Sequence, residues 1–376
     1  MRIIVYHHAL DYVFRFGGNK NIGGGEVLAY YLLNQLASDG HEVVLLTHQH
    51  DKALFPLPEV RVRTIPIPVA SPAMRAMRCT VASKAVIGLG SYDACLILHP
   101  LTPFGLALAL RFPSVWYHIE PIVKVSERHF EPQPLIGLAW TPGIAFAHIV
   151  RRVLTLSAYM SRLVDSHYLR VNSKPVYAGI PADKFQAATV EDTKVVTFVG
   201  RINDQKNVFR LLRAFKLCTD TIPEARLKVI ARGPATVEEE FVREIKTLGL
   251  GDKVLWDRES VVSSSTRNHY HDAQVVAYPS LHEAFGLVVV EAMASGRPVI
   301  TSNFGGPAEI VSNNREGLLV NPYNEAEIAA AIVRLLSDIG LCREMGRRAR
   351  SKFEQNFTIE RIARSIESHL KTCASS

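Results

Sequence analysis

The sequence predicts an α/β protein built as two doubly wound domains facing across a cleft. Three observations carry this expectation. Short apolar, β-branched runs alternate with stretches of helical periodicity, the pattern of parallel sheets covered by helices. At 376 residues the chain is too long for one ordinary domain and suits two. The periodicity fades between Pro175 and Thr193, where Pro181, Ala182 and Glu191-Asp192 mark a linker, and then restarts. The boundary is placed at 185/186, giving domains 1–185 and 186–376.

In the first domain Ile3–Tyr6, Val43–Thr47, Ala94–Leu98 and Val115–His118 read as strands. Glu26 to Ser38 reads as a helix, with Val27, Leu28, Tyr31, Leu32 and Leu36 at helical spacing and Gly40 as its stop. In the second domain strand Val195–Val199 leads to helix Val208–Cys218, strand Arg226–Ile230 and a helix over Glu238–Leu248. That last helix has Glu238, Glu239, Glu240 and Glu244 near its start, where they suit the dipole. Val254–Trp256, Val275–Tyr278 and Pro298–Thr301 are further strands, and Glu325 to Leu370 is helical and amphipathic. Two such domains place a ligand at the carboxyl ends of their strands.

Composition excludes several classes. With 48% hydrophobic and 21% charged residues, the chain is no disordered tail, disulfide scaffold or fibrous repeat. Its 43 basic and 36 acidic residues give a net charge of +7. Residues 1–185 hold 18 basic and 12 acidic groups, so +6 of that excess sits in the first half, which therefore suits an anionic partner. The five cysteines, Cys79, Cys95, Cys218, Cys342 and Cys373, form no C-x-x-C pair and fit a reducing cytoplasm. The N-terminus reads as a strand rather than a signal peptide. Pro132 to Val150 lacks charge, but its prolines and glycines favour a buried or surface-associated helix over a membrane span. Met74, Met77 and Val81, with Arg75, Arg78 and Lys84, fit either a basic amphipathic helix on an anionic membrane or a core helix.

Four constellations can carry chemistry. Gly23-Gly24-Gly25 precedes the first helix and leaves amides open to an anion, although a plain turn would use the same residues. Arg201 and Lys206 follow a strand, where two cations can converge on a diphosphate or simply form a solvated turn. Glu283 and Glu291 flank the start of a helix at Gly286-Leu287, so each can grip separate hydroxyls. His118 ends a strand before a proline-bearing loop, a place for either a structural or a reacting histidine. His269 and His271 read as a solvent-facing helix end. No D-x-D, G-x-S-x-G, Walker or H-E-x-x-H motif occurs, and no aromatic-interleaved basic platform marks a nucleic-acid binder.

The stretch Tyr278-Pro279-Ser280-Leu281-His282-Glu283-Ala284-Phe285-Gly286-Leu287 continues through Glu291-Ala292-Met293-Ala294-Ser295-Gly296-Arg297-Pro298 to Gly305-Gly306-Pro307-Ala308-Glu309. It resembles glycosyltransferase family 4, the retaining, nucleotide-sugar-dependent enzymes of the GT-B fold, in which two Rossmann-like domains face each other. Gly200-Arg201, Lys206-Asn207, the glycine run and Val176–Ile180 stand in the order this family shows.

The resemblance implies roles for these residues. Arg201 and Lys206 match the diphosphate pair, Glu283 the carboxylate at the donor sugar, and Glu291 the one at the ribose. Phe285, Gly286 and Leu287 match the loop offering amides to sugar and phosphates. Gly24 and Gly25 match a loop at the diphosphate, and His118 a histidine near the reacting sugar. It further implies hexosyl transfer from a UDP- or GDP-sugar to a glycan, lipid-linked or small-molecule acceptor, with no metal and no other cofactor. The final helices are then free to pack back on the first domain, and the enzyme is cytoplasmic or peripheral at the membrane. Ala231-Arg232-Gly233-Pro234 and Trp256-Asp257-Arg258-Glu259 depart from the family pattern near the base. A sugar-nucleotide epimerase of this fold and a non-catalytic sugar-nucleotide binder are the alternatives.

Overall fold

The computed structural model describes residues 1–7, 14–16, 19–21, 23–47, 52, 56–65, 86, 88–98, 103–119, 123–125, 130–132, 141–168, 170–258 and 269–375. They form two compact units. One holds Met1–Tyr12, Gly23–Ala178 and Ile359–Ser376, and the other Val13–Ile22 and Gly179–Thr358. The units part at Ala178/Gly179 rather than at 185/186. The Ile180 N–H donates to the Phe357 carbonyl at 3.0 Å, which ties this segment to the second unit ahead of the polar stretch. The residues of the basic segment 74–84, Cys79, Glu120-Pro121 and Glu259 lie outside the described residues.

The first unit is a seven-stranded parallel sheet. Its elements are β1 (Arg2–Tyr6), α1 (Gly24–Ser38), β4 (Glu42–Thr47), β5 (Arg61–Thr64), β6 (Ala94–Ile97), α2 (Pro103–Arg111), β7 (Ser114–His118), α3 (Thr141–Ile149), β10 (Arg152–Thr155), α4 (Ala158–His167) and β11 (Lys174–Pro175). Two antiparallel pairs accompany them: β2 (Phe14–Phe16) with β3 (Asn19–Asn21), in the second unit, and β8 (Val123–Val125) with β9 (Phe130–Pro132). The strand order is β11-β10-β7-β6-β1-β4-β5. Strands β1, β6 and β7 are buried almost throughout, as fits near-continuous apolar runs in a sheet covered on both faces. Helix α1 turns Leu28, Leu32, Leu33 and Leu36 inward, and Gly40, at φ +84°, ends it in the left-handed conformation that a side chain resists. The uncharged segment before Arg151 forms α3 from Thr141, with Phe146, Ala147 and Val150 buried.

The second unit contains β12 (Val195–Arg201), α5 (Val208–Thr221), β13 (Arg226–Arg232), α6 (Ala235–Thr247), β14 (Val254–Asp257), β15 (Val275–Tyr278), α7 (Leu287–Ala294), β16 (Val299–Ser302), α8 (Pro307–Ile310), β17 (Gly317–Val320), α9 (Glu325–Ser337) and α10 (Ile339–Asn356). Its six parallel strands run β14-β13-β12-β15-β16-β17. In both sheets the chain starts centrally, winds outward one way, then returns to the centre and winds the other way. The order reverses between β1 and β6 in one and between β12 and β15 in the other, so each sheet is doubly wound, Rossmann-like, with its own switch point.

The amphipathic tail comprises three helices. Asp338 caps α10, its side chain accepting the Leu341 N–H at 2.8 Å, and Phe357 ends it. The last helix, α11 (Ile359–Ser375), belongs to the first unit and buries Ile359, Ile362, Ala363, Ile366 and Leu370. His269 is buried in a turn and only His271 is exposed, so the expected solvent-facing helix end is not there. Cys95, Cys218, Cys342 and Cys373 are free and buried, hence packed as small apolar groups.

Candidate active site

Strand β12 carries its pattern two residues past Val199, so Arg201 is its last residue, paired with Arg232 of β13. A short turn follows. The Asn203 side chain accepts the Lys206 N–H at 2.9 Å, and Asn207 takes φ +62° before α5 begins. This hooks the Lys206 side chain back over the end of the sheet. The loop after β15 is built against it. The Leu281 N–H donates to the Gln205 carbonyl at 2.9 Å, and Gln205 Nε2 donates to the His282 carbonyl at 3.0 Å. Asn207 Nδ2 donates to the carbonyls of Pro279 and Pro322, at 2.9 and 2.7 Å. Two loops from the strands flanking the switch point are thereby laced together.

Lys206 and Glu283 meet across that lacing. Lys206 Nζ bonds Glu283 Oε2, and the Tyr278 hydroxyl donates to the same oxygen at 2.8 Å. Glu283 keeps only 16% of its side chain exposed. Burial alone would raise its carboxyl, but the Lys206 ammonium and the Tyr278 hydrogen bond outweigh burial and hold it below the usual carboxylate range. Arg201 is half-buried and close enough for its charge to act on Tyr278.

Glu291 has a different environment. It stands one turn into α7 and is buried, and its Oε2 accepts the Tyr270 hydroxyl at 2.6 Å. Desolvation pushes its carboxyl up to about 7 despite that bond. The two glutamates therefore differ in charge state near neutrality. Glu283 stays ionised, whereas Glu291 stands poised to gain or lose a proton.

Between them the backbone is shaped by glycine. Gly286 sits at φ +105° and opens α7, so Leu287 lies in the helix's first turn, with Phe285 buried behind it. Gly306 donates its N–H to the Glu283 carbonyl at 3.0 Å. A Cβ there would stand 2.3 Å from the Ala284 oxygen and 2.4 Å from the Phe285 Cα. The pair Gly305-Gly306 is thus what lets the loop after β16 lie against the loop holding Glu283.

The base-proximal departures also have local reasons. A Cβ on Gly233 would lie 2.8 Å from the Ile202 carbonyl, while its N–H donates to Glu238 Oε1 at 3.1 Å. The Arg258 guanidinium lies 4.1 Å from the centre of the Trp256 ring, whose Nε1 donates to the Ala231 carbonyl at 3.0 Å.

The remaining expected residues lie in the first unit. Helix α1 begins at Gly24 rather than Glu26, so Gly24 and Gly25 form its first turn and Gly23 its cap. A Cβ on Gly25 would stand 3.6 Å from Ile119 Cδ1, directly after His118, so the two features adjoin. His118 ends β7, buried, its ring 4.8 Å from that of Trp116. Tyr278 and Tyr270 carry no role in the sequence reading. Tyr278 is the one hydroxyl in the apolar strand Val275-Val276-Ala277-Tyr278, and that is the signal that could have found it. Among the described residues no three His, Cys, Asp or Glu side chains group as a metal set, and no helix is long and apolar enough to cross a membrane.

Residues 22–184 match the sequence model described as Glycosyltransferase Family 4, and residues 179–352 that described as Glycosyl transferases group 1. A D-inositol 3-phosphate glycosyltransferase of Corynebacterium diphtheriae is 34% identical over 184 residues, covering 47% of this chain and 42% of that protein. The chain spans about half the length of the curated relatives it matches. Sucrose-phosphate synthase from Thermosynechococcus elongatus has the same fold, with a TM-score of 0.79 at 20% identity over 100% of both chains. Anabaena HepE, solved with UDP-glucose, gives 0.77 at 18% identity over 99% of this chain and 100% of that one.

Proposed function

The chain belongs to the family 4 glycosyltransferases, and on that premise we propose that it moves a hexosyl group from a UDP- or GDP-sugar to an acceptor hydroxyl with retention. The observation that carries this reading is the meeting of Lys206 and Glu283, beside Arg201, at the switch point of the second sheet. As the bond from the anomeric carbon to the diphosphate breaks, negative charge collects on the departing oxygens. Arg201 and Lys206 stabilise it, and no metal is needed for that task. The acceptor oxygen bonds to the anomeric carbon on the face the diphosphate leaves, and the leaving phosphate takes the acceptor's proton. Glu283 grips the sugar hydroxyls, Glu291 the ribose, and Phe285, Gly286 and Leu287 present backbone to the donor. By the resemblance, Gly24 and Gly25 are assigned to the diphosphate and His118 to the reacting sugar.

HepE holds UDP-glucose in its structure, so a UDP-sugar is the first donor to try. A thermal-shift screen of UDP-, GDP- and ADP-sugars should raise the melting temperature with one base class. The Arg201→Ala/Lys206→Ala double variant should lose at least a hundredfold in donor turnover at saturating donor. Near-normal turnover would sink the assignment. A labelled donor separates transfer from epimerisation.

The acceptor is a glycan, a lipid-linked glycan or a small molecule, met in the cytoplasm or at its membrane face. The excess of +6 in residues 1–185 and the exposed Leu110 and Ile149, with Arg151 nearby in sequence, support contact with an anionic bilayer. Co-sedimentation with liposomes should then require anionic lipid. Equal recovery without it removes the membrane from the reading.

A further inference from the structure

Tyr278 touches both charged members of the site. It ends β15, with its ring stacked on Phe198 at 6.1 Å and 28°. Lys206 Nζ lies 5.3 Å from the centre of that ring, and the hydroxyl donates to Glu283 Oε2 at 2.8 Å. Lys206 and Glu283 bond each other directly. A diphosphate drawing Lys206 away would deprive Glu283 of its main cation. The Tyr278 hydrogen bond alone would then hold the carboxylate, from a ring too tightly packed to follow.

We propose that Tyr278 is a positioning residue, whose hydroxyl fixes Glu283 Oε2 so that the carboxylate keeps its place and charge when Lys206 turns to a diphosphate. The second half of this statement rests on the donor reading above, and the first does not. The charged and titratable groups around the pair are Lys206 from the turn after β12, Arg201 at the end of β12, His282 next to Glu283, Glu291 from α7, and Tyr270 ahead of β15. The hydroxyl favours the ionised carboxyl, so removing it leaves Glu283 easier to protonate.

The test begins with the free protein. The carboxyl ¹³C signal of Glu283, assigned by its loss in Glu283→Gln, is titrated in wild type and in Tyr278→Phe. The midpoint should rise by half a pH unit or more in the variant. An unchanged midpoint overturns the proposal. Should Tyr278→Phe fail to fold, a fluorotyrosine at position 278, a stronger donor in the same ring, should move the midpoint down, and no movement overturns it equally.

The second measurement is hydrolysis of UDP-glucose. Tyr278→Phe should lower kcat about tenfold with the donor KM within threefold, and its acidic limb should move to higher pH. A fall in kcat with the acidic limb unmoved would mean mere structural damage and overturn the proposal. If no sugar nucleotide raises the melting temperature of the wild type, the donor reading fails, and the titration still decides on Tyr278.

Discussion

Glu291 is a carboxylic acid nearly closed off from water, bonded to one tyrosine and to no cation among the described residues. Its folded value of about 7 lies above the ordinary 4.5, so between those values the native state binds a proton that the unfolded chain has released. Stability from this group is complete below pH 4.5 and falls as pH rises to about 7, by roughly 3 kcal/mol in all. Glu291→Gln keeps an acceptor for Tyr270 and removes the titration. Its stability relative to wild type should therefore improve by that order between pH 5 and pH 8 in urea melts. An equal difference at both pH values would show that Glu291 does not titrate there. Glu283 has the opposite sign. Its depressed value makes the Lys206 pair stabilising above the usual carboxylate range, and that contribution is lost as pH falls through the folded value. Lys206→Met leaves a buried carboxylate with only Tyr278, and should cost about 3 kcal/mol at pH 7. The gap to wild type should narrow as pH falls through the folded value of Glu283, where both proteins come to hold a neutral acid.

At the scale of elements, the site exists because loops from different strands fit with almost no space between them. Gly306 is the tightest such contact, and its φ is ordinary, so the demand is steric alone. Gly306→Ala should push the Glu283 loop aside, cost about 1–3 kcal/mol, and reduce donor binding more than the stability loss explains. Calorimetric titration of the best UDP- or GDP-sugar, compared at a temperature where both proteins are folded, checks this. The strands from Val195 to Ser302 were legible in the sequence because each is a short β-branched run between turn residues. The motif glutamates and Arg201 with Lys206 were legible for the same reason: their places follow from strand ends. The tyrosine partners were not. Tyr270 reaches Glu291 and Tyr278 reaches Glu283 only after the sheet has formed, so the bonds themselves are not encoded by spacing, although the lone hydroxyl ending an apolar strand marks Tyr278. The extension of β12 through Arg201 was hidden as well, because Gly200 looks like a strand stop. In the structure a Cβ there would touch the rings of Phe198 and Tyr278, so the glycine belongs to the packed strand.

For the whole molecule, the boundary read from composition and the boundary of packing differ, and the last helix shows why. Polar and proline-rich residues mark where periodicity fades, but a compact unit is defined by what it buries. Helix α11 follows the second unit in the chain yet completes the first, lying against α1, β6 and β7. Arg151 donates to the Cys373 carbonyl, and His41 Nε2 lies 3.2 Å from Glu367 Oε1. The charged contacts are minor beside the burial of Ile359, Ile362, Ile366 and Leu370. At about 1.5–3 kcal/mol for each large aliphatic side chain, they contribute on the order of 6–12 kcal/mol gross. That is comparable to the whole stability of a domain, about 5–15 kcal/mol. Removing residues 359–376 should therefore unfold the first unit at ordinary temperature and spare the second. Hydrogen exchange read by mass spectrometry separates the two outcomes. Amides of β1, β6 and β7 should exchange as in an unfolded chain, while those of β12, β13 and β15 keep their protection. Retained protection in β6 and β7 would mean that the first unit has a sufficient core without α11. Loss of protection in β12 would mean that the two units do not fold independently.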